Sequence, residues 1–280
     1  MNPVDPVTRI RLPKYSLIPT PQIGFRRSYK NTQKVHIPAE DASIWLILTS
    51  VFMAQEQKCM RKPHFRTRWA RFWMQKAGRR LPYSVAVRLA TLGSPPFYAR
   101  VALSRWNKRG YISPKARISH ADIILGTNCY VDDEVLVFRD EGGGPVTLGN
   151  GVHLHHGTFI QTGAGGTVVI DENTHIQPRC QLSGYAGEIR IGREVEIAPR
   201  CAFYPYNHGM EAEQPVRNQP LTSQGGIRVG NRAWLGYGVI VLDGAHIGDD
   251  AIVGAGSVVT KDIPAGCIAA GNPAKVIRDR

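Results

Sequence analysis

A mainly β chain is predicted, a left-handed parallel β-helix preceded by a mostly helical or extended N-terminal region. Three observations predict it. Aliphatic residues recur every six positions from residue 118 onward, the recurrences group in threes, and the basic charge of the chain stops where they begin.

The clearest series is Val229, Leu235, Val241, Ile247, Val253 and Val259, usually followed by Gly or another small residue. Earlier sets run in threes: Leu125, Val131, Val137; Leu148, Leu154, Ile160; Ile170, Ile176, Leu182; and Ile191, Ile197, Phe203. A period of six is neither helical nor simple strand alternation, so it implies short strands separated by tight turns, three strands to a coil. The stacked aliphatics then fill the axis of a triangular prism.

An unbroken coil needs 18 residues, the spacing of Val229 and Ile247, whereas Leu125 to Leu148 spans 23, Leu148 to Ile170 spans 22 and Ile170 to Ile191 spans 21. The surplus falls after the third strand of each set, in "RDEGGGPVT", "QTGAGGTVV" and "SGYAGEIR", so the insertions stack along one corner. The longest, residues 203–227, carries a single histidine, His208. Long irregular loops in compact domains are uncommon and tend to be functional, which makes this segment a candidate site.

The 280 residues are 42% hydrophobic and 20% charged, which suits a globular chain with a core and excludes a disordered one. Of the net +13, residues 1–110 hold 21 Lys+Arg against 4 Asp+Glu (net +17) and residues 111–280 hold 14 against 18 (net −4). An anionic partner therefore belongs to the N-terminal part. Five cysteines, Cys59, Cys129, Cys180, Cys201 and Cys267, are odd in number and form no CxxC pair, so a reducing setting is expected and a cysteine-based zinc site is not. The first 40 residues lack an apolar run followed by a small-residue cleavage site, and "IWLILTSVFMA" at 44–54 is far shorter than the ~20 residues that span a bilayer. A cytoplasmic location is expected.

Three regions follow: a basic, proline-containing extended arm over 1–40, a helical basic and aromatic region over 41–110, and the β-helix over 111–280. In the second, Phe65, Trp69, Phe72 and Trp73 follow helical spacing beside Arg66, Arg68, Arg71, Lys76, Arg79 and Arg80, with Pro63 opening the helix. Aromatic anchors among cations suit an anionic membrane surface, here through residues 44–80, while the competing use is a helical cap over the open end of the prism. Nucleic acid is not expected, because the basic residues form no binding motif.

The C-terminal motif order, a "WLG" turn, then "IGDDAIVGAGSVVTKD" and a closing "GNPAKVI", resembles the hexapeptide-repeat acyltransferases. Within them it is similar to the sugar and polysaccharide O-acetyltransferases of the maltose and galactoside type. The resemblance covers roughly residues 112–280. It implies a homotrimer with acetyl-CoA between adjacent prisms, a carbohydrate acceptor, and His208 as general base on the acceptor hydroxyl, flanked by Asn207. An imidazole near neutral pKa takes the proton as a poorly nucleophilic sugar hydroxyl attacks the thioester, so neither a metal nor an acyl-enzyme is expected. Backbone N–H groups of turns such as "LGYG" would receive the oxyanion. Trp234, Gly236, Gly238, Gly254 and Ala255 are expected along the acyl and pantetheine channel, and Lys261, Lys275 and Arg278 at the phosphates. The family's asparagine one coil before the histidine falls near Gln177 to Arg179, where no Asn stands; Gln177 is the candidate for orienting the acceptor.

Two alternatives share the prism: a nucleotide-sugar N-acetyltransferase, and a zinc protein like the γ-class carbonic anhydrases. The second rests on "HLHHG" (His153, His155, His156) and His175, since register stacks His153 over His175 with Glu196 next. A ladder of surface polar side chains, or an acceptor-binding face, is the preferred reading of that column.

Overall fold

Each six-residue recurrence is one short strand and the turn after it. The computed structural model describes residues 65–78, 82–92, 94 and 98–280, all within a compact unit covering residues 60–280. The arm over 1–40, the apolar run 44–54, Cys59, Pro63, Arg79 and Arg80 lie outside the described residues.

From Tyr111 the chain visits three faces of a parallel β-helix in turn. The first face has nine strands, from Tyr111–Ile112 to Ala274–Asp279; the second has seven, from Arg117–Ser119 to Val258–Val259; the third has six, from Ile123–Leu125 to His246–Ile247. Neighbouring coils pair in register, for example Ile176 with Leu154 and Ile197, so the aliphatics predicted from the period share one axis. Val229, Leu235, Val241, Ile247, Val253 and Val259 are all at most 3% exposed. Each such side chain removed from water contributes about 1.5–3 kcal/mol. Leu125 is only partly buried, because its strand ends the third face and no coil covers it there. At the other end Cys267–Gly271 and Ala274–Asp279 form an antiparallel pair that closes the ladder.

Among the described residues three helices precede the prism: α1 (Phe65–Lys76), α2 (Tyr83–Thr91) and α3 (Tyr98–Ser104). α1 buries Ala70 and Met74, one helical turn apart, against Val87 and Ala90 of α2, Val101 and Leu103 of α3, and the stacked rings of Tyr111 and Tyr130. A carbonyl of the last turn of α1 and that of the residue just after it find a donor in Asn107, whose Nδ2 reaches Met74 O at 2.8 Å and Ala77 O at 3.0 Å. Trp69 Nε1 donates to Leu89 O at 2.8 Å, and Ile112 N donates to Tyr83 Oη at 3.1 Å, tying the helices to the first coils. Among the described residues no helix is long and apolar enough to cross a membrane.

Candidate active site at the inserted corner

The insertions do stack on one corner, between the second and third faces. The longest is an ordered structure, not a slack loop. After inward Phe203, Asn207–His208 pairs antiparallel with Leu221–Thr222, His208 opposite Leu221. Beyond the pair, buried Gln219 satisfies the backbone of the tip: its Nε2 donates to Glu211 O at 2.9 Å and Gln214 O at 2.8 Å, and its Oε1 accepts from Glu211 N at 2.9 Å. His208 is exposed on this hairpin, its ring edge-to-face with Tyr206 at 6.2 Å between centroids. An accessible imidazole on a fixed backbone is what proton abstraction from a bound hydroxyl requires.

The base of the hairpin is clamped by Asp243, a residue that sequence reasoning missed. Its carboxylate accepts from Asn207 Nδ2 at 3.3 Å, Ser223 Oγ at 2.9 Å, Gln224 N at 2.6 Å and Gly226 N at 3.1 Å. One 8%-exposed carboxylate thus ties both arms of the insertion to the coil below. Asn207, expected as a catalytic partner, has its amide turned to this clamp. The only sequence signal for Asp243 was an Asp-Gly pair, which reads as an ordinary turn.

The other predicted residues are placed elsewhere on the prism. Gln177, Gly236, Gly238, Gly254 and Ala255 lie at the corner between the first and second faces, each just past an inward residue of the first face or in the turn that follows. Trp234 stands on the first face in register with Ile252, Ile268 and Arg278, so Trp234 and Arg278 share one column. Lys275 is on the same terminal strand, and Lys261 sits at the inserted corner two coils beyond the hairpin. In a three-sided prism the first face lies opposite the corner between the second and third. Within one chain, therefore, Trp234 and Arg278 lie across the prism from the corner that bears His208. Gly236 has a packing reason of its own, since a Cβ there would lie 2.6 Å from Ala255 N, and Gly238 occupies a left-handed turn at φ +69°.

The histidine column corrects an expectation. His153 stacks on His175 at 4.2 Å with rings 1° from parallel, and His175 Nδ1 lies 2.8 Å from Glu196 Oε1, as register implied. It is not a surface ladder throughout, however: His153 and His155 are buried, with Tyr130 packed against both at 5.6 and 5.4 Å. Burial and the neighbouring imidazoles push His153 down to about 3 and His155 down to about 4. Among the described residues no group of three or more His, Cys, Asp or Glu side chains is arranged to hold a metal ion.

Short strands recurring every six residues coil around an aliphatic axis, with a histidine-bearing hairpin at one corner. Residues 226–261 match the family described as bacterial transferase hexapeptide (six repeats), and the chain carries that family's repeat. It is 40% identical over 119 residues to SACOL2570 of Staphylococcus aureus (strain COL), which bears a provisional acetyltransferase name; the match covers 42% of this chain and 58% of that protein. It is 38% identical over 95 residues to the galactoside O-acetyltransferase of Escherichia coli (strain K12), covering 32% of this chain and 44% of that one. The chain thus spans about half the length of these curated relatives. Among solved structures, the polySia-specific acetyltransferase NeuO is similar at 21% identity and a TM-score of 0.46, over 59% of this chain and 82% of that one.

Proposed function

We propose that the protein is an acetyl-CoA-dependent O-acetyltransferase that modifies a hydroxyl of a surface polysaccharide or its lipid-linked precursor. The observation that carries this reading is His208, exposed on a hairpin fixed by Asp243, in a chain whose curated relatives are named acetyltransferases. His208 takes the acceptor proton as the oxygen attacks the thioester carbonyl, and the thiolate of CoA leaves. Acetyl-CoA supplies the acyl group; Trp234 and the turn at Gly236 and Gly238 line its path, with Lys275 and Arg278 toward the phosphates. Because Trp234 and Arg278 lie on the face opposite the His208 corner, the working site joins His208 of one chain to the first face of another. A homotrimer supplies three such junctions.

The test is release of CoA thiol in the presence of glycan acceptors. His208→Ala is expected to lower kcat by about 10²–10⁴ with the fold retained; equal rates in the two proteins would remove the general-base assignment. Transfer to UDP-amino-sugars in place of hydroxyl acceptors would make the protein an N-acetyltransferase.

A second contact is supported by α1, where Phe65 and Phe72 are 79% and 52% exposed beside exposed Arg66, Arg68 and Arg71. Apolar rings among cations fit the surface of an anionic membrane. Sedimentation with phosphatidylserine vesicles, lost in Phe65→Ser/Phe72→Ser, is the expected result.

A further inference from the structure

The corner insertions do more than carry His208, for they also bring tyrosines to it from separate coils. Tyr185 comes from the insertion one coil earlier and Tyr206 from the hairpin arm, with ring centroids 5.8 Å apart; Tyr206 is in turn 6.2 Å from His208 and 6.1 Å from Tyr204. All three tyrosines are half-buried, so each ring is held by the protein and still reaches solvent. Tyr185 is fixed twice. Its hydroxyl donates to the exposed Asp140 carboxylate, and its ring lies against Gly163, where a Cβ would come within 2.3 Å of Cε1. Burial and the Asp140 carboxylate push the Tyr185 hydroxyl up to about 12, so it stays protonated as a donor. Beside this row, half-buried Gln161 and Tyr204 occupy outward positions of the second face, with Gln161 Nε2 donating to the Oγ of buried Ser183 at 2.5 Å.

The repeat needs none of this: the coil from Val229 to Ile247 closes in 18 residues and carries no aromatic ring at this corner. Fixed aromatic rings at intervals close to the length of one monosaccharide unit, edged by amide, hydroxyl and carboxylate groups, match the two sides of a pyranose. The sugar offers C–H bonds to an aromatic face and hydroxyls to polar groups around it. We propose that Tyr206 and Tyr185 form consecutive subsites for sugar rings, so that the acceptor at His208 is an oligosaccharide or polysaccharide, held by the units next to the one that is modified. This rests on the reading of His208 as the base of a carbohydrate acetyltransferase.

Two measurements on the full chain separate the platform from that reading. The first is kcat/KM with galactose, N-acetylgalactosamine and sialic acid and with their oligomers of two to six units. The wild type is expected to prefer the longer member of the productive series by about tenfold, carried by KM. Tyr185→Ala brings that length ratio close to one, Gly163→Ala does the same by displacing the ring, and Tyr185→Phe keeps the ratio. A wild type without length preference, or a Tyr185→Ala protein that loses activity equally on short and long acceptors, overturns the platform while leaving the base assignment intact. The second is equilibrium binding of the same oligomers to His208→Ala, which cannot turn over. Binding that strengthens with length and is lost on adding Tyr185→Ala supports the platform even if transfer fails, whereas binding of none of them overturns it.

Discussion

His208 is where the chemistry is proposed, but Asp243 decides where His208 stands. A buried carboxylate accepting four hydrogen bonds from the two arms of one insertion is a single point of failure for that insertion. Each hydrogen bond to a charged group contributes about 1.5–3 kcal/mol, and deleting the shared acceptor strands its donors. Asp243→Ala is expected to cost about 2 kcal/mol or more in urea unfolding and to expose the Gln224 and Gly226 amides to hydrogen exchange. Unchanged protection at those amides would show that the hairpin stands without the clamp. The sequence singles out His208 as a candidate because a lone histidine in a break of a strict repeat is conspicuous. It misses Asp243 because the partners lie 17 to 36 positions away and meet it only through the coil geometry.

At the scale of elements, the strands were legible and the helical segment was legible only in part. Every strand position on the axis repeats a simple rule, apolar every sixth residue, whereas the helical segment announced its period without saying which ring would bury. Trp69 and Met74 turn inward, Phe65 and Phe72 outward, and the choice is made by the partners in α2, α3 and Tyr130. Hence His153 and His155 were expected on the surface and lie buried. Their low folded-state values have a consequence for stability. An unfolded histidine near 6.5 takes a proton that the folded one refuses, so the unfolded state binds more protons below 6.5 and stability falls as pH drops toward the folded values of about 3 and 4. Each group contributes a slope of up to about 1.4 kcal/mol per pH unit. Urea midpoints measured at pH 7, 6 and 5 should fall accordingly, and His153→Gln should flatten the decline; an equal decline in the variant would place the loss elsewhere.

For the whole molecule, the division of charge in the sequence coincides with a division of architecture, since the basic surplus precedes Tyr111 and the acidic remainder builds the prism. The period alone conveyed the prism, its faces and its inserted corner. It did not convey that the candidate base and the Trp234 column are separated within a chain, because a period fixes register along a face and leaves the circuit around the axis to be counted. That separation makes association of chains part of the proposed mechanism: sedimentation should show a trimer, and dissociated chains should release no CoA.

The most direct measurement is a crystal structure of the protein soaked with CoA. The account predicts the pantetheine along the Trp234 column of one chain and its sulfur beside His208 of a neighbouring chain. A thiol bound away from every His208, or held within a single prism, would contradict it.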